Sequence, residues 1–209
     1  MNLLTETVPN PERLENLSGQ QWDELLTLAR YTKLTGRLYT LVAERDLLTT
    51  IPPVANDVLS GAAIYTDYMQ LLVRRELRLL NSVLADIDFP VVLLKGAAYL
   101  MSELPAARGR RMNDIDILVP RAKLAEMEER LAAAGWAFDE GLSDYDQHYY
   151  RAWSHELPPM RHPASPLELD VHHNLIQTTG RIKLDSSLLF ADLVPVEGTV
   201  FTTLSPADM

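Results

Sequence analysis

The chain has 209 residues, 47% of them hydrophobic and 23% charged, and its 19 basic against 29 acidic side chains give a net charge of −10. That suits one good core, or one domain with a helical appendage. The acidity disfavours extended duplex nucleic acid as a partner, although a local basic spot could hold a nucleotide or a nucleic-acid end. With no cysteine, disulfides, thiolate zinc sites and cysteine nucleophiles are excluded. The N-terminus lacks a basic n-region and an apolar h-region, so no signal peptide is expected. No apolar run approaches the ~18 residues of a membrane helix. The expected location is the cytoplasm, without a membrane partner.

Residues from about 11 to 48 read as two helices. Ser18 is placed to cap the first, and Trp22, Leu25, Leu26, Leu28 and Ala29 recur at helical spacing. Leu34, Leu38, Leu41 and Val42 continue the pattern in the second. Pro52-Pro53 interrupts it, and a long helix is expected from Val54 to Asp86. Residues 1–86 therefore read as a helical subdomain, followed by an α/β core over 87–209.

The core opens with Phe89-Pro90-Val91-Val92-Leu93-Leu94, a short run apolar on both faces, as in a central strand. Lys95-Gly96-Ala97-Ala98 turns into a short helix, and Leu104–Arg111 is an expected loop. A strand then runs to Val119, and a helix from about Arg121 to Ala134 ends at Gly135. Trp136–Phe138 reads as a further strand. The aromatic stretch 143–153 is ambiguous by pattern, and Pro158–Pro166 reads as a loop. Leu167-Glu168-Leu169-Asp170-Val171-His172 alternates strictly and reads as a strand. Ser205-Pro206-Ala207-Asp208 has the composition of a helix start, which carries the expectation of C-terminal helices beyond Met209.

The chemistry concentrates in Arg110-Arg111-Met112-Asn113-Asp114-Ile115-Asp116-Ile117-Leu118-Val119. Alternation in a strand puts Asp114 and Asp116 on one face and Ile115 and Ile117 in the core. Two carboxylates so close repel unless a cation lies between them. Mg²⁺ fits, because it accepts one or two carboxylates and keeps positions for water and phosphate oxygens. Lys95-Gly96 at a strand-to-helix turn offers an anion site. Arg108, Arg110 and Arg111 form a basic cluster able to fold over phosphate. Glu168, Asp170 and His172 share one strand face and offer a third carboxylate.

Lys95-Gly96-Ala97-Ala98, the Asp114-Ile115-Asp116 strand and the Leu167–His172 strand together resemble the nucleotidyltransferase superfamily related to DNA polymerase β. They resemble in particular its uncharacterised bacterial branch with a Lys-Gly turn, over roughly residues 54–205. The resemblance implies an α/β (α+β) fold with a short mixed sheet. It implies that Gly96 and its neighbours, Lys95 and Ala97 with Arg110 and Arg111, hold the triphosphate. Asp114 and Asp116 would bind two Mg²⁺ (or Mn²⁺) ions, and Asp170 would be the third acid, a ligand that also helps deprotonate the attacking hydroxyl, directly or through the second metal. The implied reaction is transfer of a nucleoside monophosphate from an NTP to a hydroxyl acceptor, releasing pyrophosphate. The acceptor stays open among a small molecule, a protein side chain and an RNA end.

One departure stands out. Most of the superfamily has Gly-Ser at the turn, and here the pair is Gly96-Ala97. That motivates an alternative, a nucleotide-sensing or partner-binding module with weak or no turnover. A third reading is a helical adaptor whose acids are surface charge. His155-Glu156 and His162 lack the His-Glu-x-x-His spacing, which excludes a zinc-protease helix, while His155 remains a candidate to approach the nucleotide.

Overall fold

The computed structural model of the chain describes residues 3–209. Two compact units emerge, one of residues up to Leu71 with Pro105–Met112, the other of Leu72–Leu104 with Asn113–Met209.

The first unit is helical. It holds α1 (Leu3–Thr7), a 3-10 turn at Pro11–Asn16, α2 (Gly19–Tyr31), α3 (Thr35–Ala43) and the first half of α4 (Pro53–Val83). Ser18 caps α2 through a reciprocal box. Its hydroxyl accepts from the Gln21 backbone N–H, and the Gln21 side chain accepts from the Ser18 N–H. Those bonds satisfy two of the N–H groups that a helix start leaves without partners. Trp22, Leu25, Leu26 and Ala29 of α2 pack with Leu38, Val42 and Leu59 in one buried cluster. The Pro105–Met112 loop belongs here because Gln70 donates to the Ala107 carbonyl at 2.8 Å. It also approaches α3 closely. At Gly109, with φ of 65°, a Cβ would lie 2.2 Å from the Gly36 carbonyl oxygen, so only glycine fits.

The second unit is built on a seven-stranded mixed sheet: β1 (Val91–Leu93), β2 (Asp114–Leu118), β3 (Ala137–Phe138), β4 (Met160–Arg161), β5 (Glu168–His172), β6 (Leu193–Pro195) and β7 (Phe201–Leu204). The spatial order is β3-β4-β5-β2-β1-β7-β6. β2 pairs antiparallel with β1 and parallel with β5, and β1 pairs parallel with β7. The helices of this unit are the end of α4, α5 (Lys95–Met101), α6 (Leu124–Ala133) and α7 (Asp144–Ala152). β1 is buried at all three residues, as its two-face apolar run requires of an inner strand. On one sheet face Val92, Leu118 and Leu204 pack with Leu94 under Leu189, Phe190 and Leu193.

Three stretches differ from the sequence reading. The ambiguous segment 143–153 is the helix α7, started by a Ser143–Asp146 capping box. The expected loop 158–166 contains β4, which exists through antiparallel pairing to β3 and β5 and not through any local alternation. β6 and β7 close the far side of the sheet, unmarked in the sequence pattern because β7 is a four-residue inner strand with three buried positions.

Candidate active site

The register of β2 on β5 assembles the site. Asp114 lies beside Glu168 and Asp116 beside Asp170, so four carboxylates from two parallel strands face the same way. Such a set is costly without cations. The fold meets part of that cost with its own side chains.

Lys95 begins α5, one residue after the end of β1, and its ammonium donates to Asp116 Oδ1 at 2.6 Å. His172 approaches the same oxygen from the other side, with Nε2 at 3.0 Å. Burial would raise the Asp116 carboxyl, but the hydrogen bonds and charges of His172 and Lys95 bring it below the usual aspartate range. Burial likewise works to lower the Lys95 ammonium, and its bond to Asp116, with the charges of Asp116, Asp170 and Asp114, raises it instead. Lys95 adopts φ of 45°, a left-handed backbone that costs a non-glycine residue about 1 kcal/mol. Its side chain remains 57% exposed, so the ammonium is within reach of an arriving anion.

Asp170 has the opposite character. It is half-buried, and its Oδ1 is buried without a hydrogen-bond partner. Burial, followed by the charges of Asp116 and Glu156, pushes its carboxyl up to about 6. Glu168 is engaged differently, by Arg161 across the β4–β5 pair. Of the two acids offered by β5, Asp170 is therefore the one that faces Asp116 with an oxygen to spare. An orphaned carboxylate oxygen beside two further aspartates suits a hard, oxygen-seeking dication such as Mg²⁺.

Gly96 and Ala97 follow Lys95 in the first turn of α5, with Ala97 fully buried. No hydroxyl stands at that position. Arg110 and Arg111 fall in the helical unit, where the Arg111 guanidinium lies 5.3 Å from the Tyr65 ring centre. Arg108 pairs with Glu44 at 3.2 Å in the same unit. A cleft of about 650 Å³ lined by Asn113, Phe138, Arg161, His162 and Glu168 opens at the Asp114 end of the strand pair.

One participant was not singled out from the sequence. Glu156 carries Oε2 to 3.1 Å from His172 Nδ1, brought there by an isolated antiparallel bridge between residues 156 and 172. Its neighbour His155 is held below the usual histidine range, chiefly by burial. The only sequence signal was that His172 shares the acidic face of β5.

No helix among the described residues is long and apolar enough to cross a membrane. No curated protein and no solved structure matches the chain. The model of a family described as uncharacterised nucleotidyltransferases matches residues 18–209. With the mixed sheet and the paired aspartates in place, the chain belongs to that nucleotidyltransferase family.

Proposed function

We propose that the protein transfers a nucleoside monophosphate from an NTP to a hydroxyl acceptor and releases pyrophosphate, with Mg²⁺ (or Mn²⁺) held by Asp114, Asp116 and Asp170. The observation that carries this reading is the β2–β5 register, which sets Asp116 directly beside Asp170. Bound Mg²⁺ would supply the positive charge that stabilises the attacking and leaving oxygens of an in-line displacement at the α-phosphate.

The residues of the chain divide the remaining work. Asp170, whose Oδ1 has no hydrogen-bond partner within the chain, is the carboxylate that would take the proton of the attacking hydroxyl. The new bond joins the acceptor oxygen to the α-phosphorus, and the bond to the β-phosphate oxygen breaks. Asp116 remains ionised because Lys95 and His172 favour its charged form. Lys95 is the cation available to phosphate oxygens, replacing the contact that a serine at position 97 would have made. The exposed side chain of Lys95 can turn from Asp116 to the nucleotide without unfolding the turn. The cleft lined by Asn113 and Glu168 is of a size that takes a nucleotide or a small acceptor.

The reading is tested by incubating the protein with each NTP labelled at the α-phosphate, Mg²⁺, and cell extract as the acceptor source. Label should pass to a macromolecule or small molecule with wild type and not with Asp114→Asn/Asp116→Asn. Metal-dependent nucleotide binding without transfer would replace this reading with that of a binding module.

A further inference from the structure

Behind the aspartates lies a second cluster with different chemistry. His172 is almost wholly buried, its side chain 3% exposed. Its Nε2 is 3.0 Å from Asp116 Oδ1, and a carboxylate there fixes Nε2 as the protonated nitrogen. Nδ1 is the second ring nitrogen. It faces Glu156 Oε2 at 3.1 Å, yet makes no hydrogen bond. A ring nitrogen and a carboxylate oxygen so close, with no hydrogen bond joining them, are two donor atoms placed for one cation.

His155 completes the group. Its Nε2 is 3.7 Å from the same Glu156 oxygen, and its Nδ1 is buried without a partner. The His155 and His172 ring centres are 5.5 Å apart, and ligand atoms of the three residues lie within 4.8 Å of one another. Backbone pairing fixes the arrangement. The His173 N–H donates to the His155 carbonyl at 2.8 Å, and the Leu157 N–H to the Val171 carbonyl at 2.8 Å.

We infer that His155, Glu156 and His172 form a site for a first-row transition-metal dication such as Zn²⁺, separate from the carboxylates of β2 and β5. The Glu156 oxygen lies 3.1 Å from the His172 donor and 3.7 Å from the His155 donor, separations that two bonds of about 2.1 Å to one ion can span. Two imidazoles and one carboxylate are donors for such an ion, while Mg²⁺ prefers oxygen alone. Asp116 acts as the carboxylate that orients a metal-binding histidine through its far nitrogen. Loading this site would lock His172 and, through it, the position of Asp116. The inference stands independently of nucleotidyl transfer, because it concerns binding of the ion alone.

Co²⁺ serves as a visible probe. Titrating the metal-free full chain in excess Mg²⁺ should give ligand-field absorption at one Co²⁺ per chain, displaced by one equivalent of Zn²⁺. His155→Gln and Glu156→Gln, both at partly exposed positions, should each weaken Co²⁺ binding at least tenfold while keeping the far-UV dichroism of wild type. Asp114→Asn should leave the absorption in place. Absence of Co²⁺ absorption in wild type would overturn the inference. So would absorption that survives both His155→Gln and Glu156→Gln, or that disappears in Asp114→Asn, which would assign the ion to the aspartates.

Discussion

Replacing Asp170 by Asn keeps the side-chain volume and removes a charge that the fold disfavours. Folded Asp170 titrates at about 6, against 3.8 for an ordinary aspartate. Between those pH values the folded state retains a proton that the unfolded state has released. Raising the pH through this window therefore costs stability, and the cost levels off above it. A gap of about two pH units is worth about 3 kcal/mol at full strength. Water reaching a half-buried carboxyl reduces this to about 1.5 kcal/mol. Asp170→Asn should thus be more stable than wild type at pH 8 by about that amount, and by only a few tenths of a kcal/mol at pH 4, about the point where both forms are neutral when folded. Urea unfolding of both proteins in EDTA at the two pH values measures the difference. The same substitution should abolish nucleotidyl transfer, as expected where a functional site is kept at the expense of stability. A difference that does not change with pH, or a variant less stable at pH 8, would refute the electrostatic reasoning.

Asp116→Asn should behave in the opposite sense, losing about 2 kcal/mol at pH 7, because the charge-assisted bonds from Lys95 and His172 are lost; the wild-type advantage should fade as the pH drops through the aspartate range, since this carboxyl is lowered in the folded state. Urea titrations of this variant at pH 7 and pH 3 check the sign. Lys95→Gly should be about 1 kcal/mol more stable than Lys95→Ala, because only glycine adopts φ of 45° without strain, and thermal melts of the pair decide it. Gly109→Ala should cost about 3 kcal/mol or more, since its Cβ meets the Gly36 carbonyl; a variant melting with wild type would disprove the close approach.

Much of the site was legible because strand periodicity alone assigns side chains to faces. Asp114, Asp116, Asp170 and His172 were placed on their faces from alternation, and Ser18 as a cap from its position before an apolar stripe. The partnership of Asp116 with Asp170, and not with Glu168, needed the inter-strand register, which no local pattern encodes. Glu156 escaped because its approach to His172 depends on a single backbone bridge between residues 156 and 172. β4 and β7 escaped for a related reason. They are two and four residues long, too short for periodicity to register, and they exist through neighbours already in place. The Gly36–Gly109 contact, which ties the Pro105–Met112 loop to the helical unit, joins residues far apart in sequence and leaves no mark but two glycines.

The central claim is that the β2 and β5 aspartates support nucleotidyl transfer. Pyrophosphate release in the presence of Mg²⁺, each of the four NTPs and an acceptor source, measured for wild type beside Asp114→Asn/Asp116→Asn, tests it most directly. The account predicts release by wild type with at least one NTP and none by the double variant. Equal release by both proteins, or none by wild type under any of these conditions, would contradict it.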